Sequence, residues 1–195
     1  SGLTAYDGSG GNHHGTLNNM AGTEWSEGHV NSALDFPDLS DRILVPDAPA
    51  LRPTTNRLTV AAWVWHDSHQ NGTNFAIARK GQNDFETFIL QMNGIDYPAN
   101  NRVRFFVRDT GYASYGLNAS MGLPLSTWKH VAGVYDGASL ITYVDGEVVK
   151  QSAFAKPIDV IEDILALRST GGGGSTLNGI VDEFMISTEP MTQQQ

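Results

Sequence analysis

The chain contains no cysteine, so its chemistry has to come from carboxylates, histidines, aromatic rings and arginines. Thiolate metal sites and disulfide frameworks are excluded, and the redox compartment is left open. Asp182-Glu183 and Glu162-Asp163 are adjacent pairs, and strand neighbours point to opposite faces. A glycosidase needs two carboxyls aimed into one cleft roughly 5–10 Å apart, so neither pair serves within a single strand. Glu86 or Asp109 could meet an acid across strands, but one member would need a pKa raised by burial. Both are expected at strand ends or among polar neighbours, where burial is not expected. No E-x-D-x-x-E spacing or nucleophile elbow is present, and the run Gly171 to Gly174 lacks the lysine and hydroxyl residue of a phosphate loop. It reads as a plain connection. The chain is expected not to be an enzyme.

Binding chemistry is better represented. Asp7 and Asn12 flank glycines that can bend carbonyls inward. This suits calcium, which takes about six to eight oxygen ligands from carboxylates, amides and carbonyls. His13-His14 and the pair His66 and His69, beside Asp67, have no helix to align them as zinc ligands, and read as solvated loop histidines. Trp65 is expected at the mouth of the loop running from His66 to Asn74, and Tyr112 and Tyr115 in a second polar loop. Such rings can stack on sugars. In the run Arg102 to Arg108, Val103, Phe105 and Val107 share one face, while Arg102, Arg104 and Arg108 share the other with Phe106. Arginines on one face of an acidic protein suit an acidic glycan; a solvated face paired with neighbouring acids is the alternative. Trp65, Tyr112, Tyr115, Arg102 and Arg104 are therefore the candidate glycan-binding residues.

Positioning these groups requires many short strands. The 195 residues, 40% hydrophobic and 17% charged, suffice for one core. No long amphipathic helix is visible. Apolar or alternating runs recur between glycine, proline, asparagine and aspartate. These are Ser32 to Phe36, Arg42 to Val45, Leu58 to Trp65, Asn74 to Ala78, Phe85 to Met92, Arg102 to Arg108, Lys129 to Tyr135, Leu140 to Val144, Glu147 to Gln151, Ile164 to Leu167 and Gly179 to Ile186. That many strands point to a two-sheet antiparallel sandwich, with Val60, Ala62, Val64, Val131, Leu140, Tyr143, Ile180 and Phe184 in its core. Asp145-Gly146 suits a type I′ hairpin turn, and Ile158 to Ile164 one short helical turn. The net charge of −9 argues against a nucleic-acid partner, which needs a concentrated basic surface, and suits cation binding. No apolar run is long enough to span a membrane. The opening Ser1-Gly2-Leu3 has no initiator methionine or signal-peptide pattern. Residues 1–195 therefore read as one domain cut at both ends from a longer protein.

Six motifs, in order, carry a resemblance. They are the loop Asp7 to Thr16, Gly28 followed by Ala33-Leu34-Asp35-Phe36, Leu58 to Val64, Trp128 to Gly137, the hairpin Tyr143-Val144-Asp145-Gly146, and Gly179 to Phe184. Together they resemble the laminin-G-like jelly-roll family of the concanavalin A-like lectin/glucanase superfamily. The resemblance implies an all-β jelly-roll sandwich with Trp63 in the core and His130 core-related. It implies a structural calcium ion that pins the chain ends, with Asp7 and Asn12 joined by Asp182 or Glu183. It also implies a non-catalytic carbohydrate-binding module of a secreted or cell-surface bacterial protein. A protein-interaction, adhesion or spacer domain of a large surface protein is the alternative.

Overall fold

Alternation within single strands builds both layers. In the strand Arg102–Arg108, Val103, Phe105 and Val107 are fully buried, while Arg102, Arg104 and Phe106 are half-buried on the other side. The computed structural model describes residues 2–38, 40–69, 74–82, 85–93, 101–168 and 177–191. Within them two antiparallel sheets face each other. One holds eight strands in the order β1 (Thr4–Ala5), β2 (Gly15–Asn18), β5 (Arg42–Val45), β14 (Leu165–Leu167), β7 (Asn74–Gln82), β8 (Phe85–Asn93), β9 (Arg102–Arg108) and β10 (Ser114–Asn118). The other holds seven: β13 (Glu147–Ala153), β12 (Ser139–Val144), β11 (Lys129–Tyr135), β6 (Leu58–His69), β15 (Leu177–Ser187), β4 (Ser32–Asp35) and β3 (Trp25–Glu27). This is the expected jelly-roll sandwich. Among the described residues no helix is long and apolar enough to cross a membrane.

The core lies between the sheets. Leu58, Val60, Ala62 and Val64 of β6 and Val131 and Tyr135 of β11 are buried with Phe88, Leu90, Met92, Val103, Phe105 and Val107 of the opposite sheet. Of the expected core residues, Val60, Ala62, Val64, Val131 and Leu140 are there, and Phe184 packs against it half-buried. Tyr143 and Ile180 are not. They pair with Ala132 and Trp65, one step out of phase with Val131 and Val64, and a single step turns a side chain to the other face. At the hairpin, Asp145 and Gly146 both take positive φ, 51° and 80°, as a type I′ turn demands.

Residues 154–164 pass from β13 to β14 without forming the expected helical turn. Their amides are spent on other parts of the chain: Ile158 bridges Asp109, Asp159 N–H reaches the Arg108 carbonyl, and Ile161 N–H reaches Thr87 Oγ1 at 3.0 Å. Beside this segment Lys80 is fully buried, its Nζ 2.6 Å from Asp47 Oδ1 and bonded to the Asp163 carbonyl. Arg52 links Asp47 to Glu162. The Arg52 hydrogen bond first, then Lys80, holds the Asp47 carboxyl down to about 2. The expected loop Gly171 to Gly174 and the tail beyond Met191 lie outside the described residues.

Candidate functional site

Residues of β6 that alternate with its core positions form an aromatic surface on the outer face of the seven-stranded sheet. Trp63 pairs across strands with His130, their rings 5.3 Å apart. One rung further on, Trp65 and Trp128 meet edge-on with centroids 5.9 Å apart. His29 comes from a turn outside the sheet, stacks on Trp63 at 3.6 Å with 9° between planes, and meets Trp128 edge-on at 6.0 Å. The tryptophans and His130 are half-buried, and His29 is exposed. Trp63 and His130 thus depart from the expected core placement. The phase set by Val60, Ala62 and Val64 sends Trp63 outward, and Val131 does the same to His130. Burial first, then the neighbouring His29, lowers the His130 pKa against the opposing pull of Asp145.

Two carboxylates arrange this surface. Asp182, buried in β15, accepts the Val30 N–H on Oδ2 and the Glu183 N–H on Oδ1, each at 2.8 Å. The first bond secures the turn that carries His29, closed by Gly28 N–H to the Asn31 carbonyl at 3.0 Å. A Cβ at position 28 would stand 2.5 Å from Asp182 Oδ2 and would have to displace it. Asp67 is exposed, and its Oδ1 accepts both Trp65 Nε1–H and the Ser126 hydroxyl at 2.8 Å. Among the described residues no hydrogen bond reaches Asp67 Oδ2. Half-buried rings beside an available carboxylate oxygen can stack on a sugar face and accept from its hydroxyls.

The structure does not gather the residues singled out for glycan binding. Trp65 lies on the outer face of the seven-stranded sheet, Arg102 and Arg104 on that of the eight-stranded one. Tyr115 points coreward beside Phe154 and bonds Lys156. Tyr112 is exposed, at φ 65°, with the Arg108 guanidinium over its ring at 4.9 Å. Sequence reasoning missed Trp128 and His29 as members of the aromatic surface. The register between β6 and β11 would have placed Trp128, but nothing local announces His29. His66 belongs to β6 rather than to a solvated loop, and is buried against Asn101. The side chain of His69 lies outside the described residues.

For a metal ion the fit is partial. Asp7, Gly8, Ser9, Gly11 and His13 line a cleft of about 1180 Å³ that Asp182 and Glu183 also line. Asn12, at φ 58°, turns the loop. Asp7 accepts Ser9 N–H on Oδ1 and His13 N–H on Oδ2, at 2.8 and 2.9 Å. The Ser9 hydroxyl first, then the His13 and Ser9 amides, hold its carboxyl down to about 2. Among the described residues no three of His, Cys, Asp and Glu come together as a metal site, so Asp7, Asp182 and Glu183 do not assemble as one. Glu183 is exposed at φ 46°, at the break in pairing between Asp182 and Met185. A hard cation here would depend on backbone carbonyls.

The acids weighed for a cross-strand catalytic pair, Glu86 and Asp109, are otherwise engaged. Glu86 and Asp109 are buried, contrary to expectation, but each has a cation: Arg79 for Glu86, and Lys156 at 3.0 Å for Asp109. The Ala113 amide first, then Lys156, lowers the Asp109 pKa. A general acid would need the opposite shift.

Several solved structures share this fold. The binding domain of Paraclostridial Mosquitocidal Protein 1 is similar with a TM-score of 0.79 at 12% identity, over 97% of this chain and 47% of that one. Domain 4 of AbnA, an extracellular arabinanase from Geobacillus stearothermophilus solved with arabinotriose, is similar with a TM-score of 0.74 at 18% identity, over 96% and 88%. The receptor-binding domain of botulinum neurotoxin C/D mosaic serotype gives 0.72 at 12%, over 97% and 46%. The chain thus spans about half the length of the toxin domains it matches. At these identities the likeness is one of fold. No curated protein sequence matches the chain. A laminin-G-type family model, described as concanavalin A-like lectin/glucanases superfamily, matches residues 37–195, and the chain belongs to that family.

Proposed function

We propose that this chain is a non-catalytic carbohydrate-binding domain of a secreted or cell-surface bacterial protein. The observation that carries the reading is the outer face of the seven-stranded sheet, where Trp65 and Trp128 stand half-buried beside Asp67. Stacking on the rings would hold a pyranose or furanose, and Asp67 Oδ2 would accept from a hydroxyl. His29, stacked on Trp63, meets Trp128 edge-on and extends the same surface. The arabinanase domain solved with arabinotriose has the same fold, which favours a glycan over a purely mechanical role. The non-catalytic part rests on Glu86, Asp109 and Asp182, each committed to a cation or to backbone amides. A structural calcium ion where the N-terminal loop and Asp182 share a cleft completes the proposal. It would use Asp7 and Asp182 with loop carbonyls.

Affinity gels cast with arabinan and a panel of neutral and acidic polysaccharides test this reading. Retardation by at least one polysaccharide is expected, with no reducing ends and no ultraviolet-absorbing unsaturated products released from it. Turnover abolished by changing one carboxylate would overturn the non-catalytic assignment. The calcium ion is tested by melting in excess EDTA against millimolar calcium. Binding to the folded state alone raises stability by mass action, so an unchanged melting temperature rules it out.

A further inference from the structure

With twelve lysines and arginines against twenty-one acids, every guanidinium in this chain should find a partner. Arg42, Arg52, Arg57 and Arg79 reach acceptor side chains, and Arg168 reaches the carbonyls of Asp38 and Asp41. Arg102 and Arg104 differ. Their Nε atoms are buried and have no hydrogen-bond partner, and neither side chain pairs with a carboxylate among the described residues. Both project from the outer face of β9, two positions apart. Arg104 is held there. Its guanidinium lies over Gly116 of β10, where any Cβ would overlap it, and 5.6 Å from the centroid of Phe106. Across the neighbouring strands Gln91 and Asn118 stand opposite Arg104, and Asn93 opposite Arg102.

A free surface arginine would swing its head into water. Partial burial without an acceptor costs free energy, and half-burial does lower the Arg104 pKa. The missing partner is an oxyanion, since the planar fork matches carboxylate or sulfate with two parallel hydrogen bonds. A nucleic acid would need a broad basic surface, which net charge −9 denies. A sugar acid needs one or two forks and amides for its hydroxyls.

We propose that the outer face of β8, β9 and β10 is a second binding site, for the carboxylate or sulfate groups of an acidic polysaccharide held by Arg102 and Arg104. It lies on the opposite sheet from the aromatic surface and does not depend on it.

The test is affinity electrophoresis of the 195-residue chain in polygalacturonate, in dextran sulfate and in unmodified dextran. One or both anionic polymers should retard it, dextran should not, and retardation should fall as salt rises. Polygalacturonate names carboxylate as the ligand, and dextran sulfate names sulfate. Arg102→Gln/Arg104→Gln should abolish binding. Gly116→Ala keeps every charge but displaces the Arg104 guanidinium, and should weaken binding about fivefold or more. Arg104→Gln should melt no lower than wild type, which separates lost binding from lost fold. Trp65→Ala should bind the polyanion as wild type does, even where it loses a neutral glycan. Failure of both polyanions to bind, equal retardation by dextran, or undiminished binding by the double variant overturns the proposal.

Discussion

Asp182 spends its charge on architecture. Both oxygens accept backbone amides, and the Val30 amide lies 152 positions away in sequence, so no local pattern could assign that role. The family resemblance names Asp182 or Glu183 as a metal ligand, through the packing of the N-terminal loop on the last strand, and gives no sign of this hold on the Val30 turn. Asp182→Ala leaves the Val30 N–H without its acceptor. It should cost about 1–3 kcal/mol of stability by urea unfolding and loosen His29 from Trp63, seen as altered tryptophan fluorescence. Unchanged stability and fluorescence would show that the turn stands by itself. His130 carries the pH dependence of the same surface. Burial lowers its folded pKa below the ordinary 6.5, so the unfolded chain takes up a proton first as pH falls. Stability is fully present above about pH 6.5 and drains away as pH drops through the folded value. His130→Phe should flatten the stability profile on the acid side of about pH 6.5. A slope equal to wild type would assign the loss to other groups.

At the scale of elements, strands rich in apolar residues were legible and short polar or glycine-containing ones were not. All eleven runs read from alternation lie on strands. β1, β2, β3 and β10 escaped because their polar and glycine residues leave no apolar run to read, whereas the equally short β5 and β14 are almost wholly apolar. Phase was legible where apolar residues alternate cleanly, as in β6 and β9. It failed in β12 and β15, where Tyr143 and Ile180 are apolar on the outer face and imitate core positions. The turn before β4 illustrates a contact between elements that sequence conceals. Gly28 is legible in sequence only as a motif glycine, with no sign that Asp182 Oδ2 crowds the place of its missing side chain. Gly28→Ala should force the carboxylate off Val30 and cost about 1–3 kcal/mol, measured by urea unfolding. A neutral result would mean that the turn moves aside without penalty.

Across the whole molecule, the sheets are tied at one end by ions as well as by the core. Lys80 is fully buried on Asp47, which Arg52 joins to Glu162 in the crossing between the sheets. Removing one partner of a buried pair leaves an uncompensated charge. Asp47 is partly solvated, so Asp47→Ala should cost about 3 kcal/mol, the low end for such a break. Replacing Lys80 with methionine in that background should recover part of the loss. No recovery would mean that the charge pair is not what the site depends on. The fold was legible in six ordered motifs. The proposed binding surface was legible only in part, because its rings come from β6, from the start of β11 and from a remote turn. On that surface Trp65 and Trp128 are the proposed sugar platform. The most direct measurement is a calorimetric isotherm of wild type and Trp65→Ala with a neutral polysaccharide that retards the wild type. Loss of the ring should weaken binding by about 1–3 kcal/mol while the melting temperature shows a folded domain. Equal affinity in a folded Trp65→Ala variant would contradict the assignment of this face.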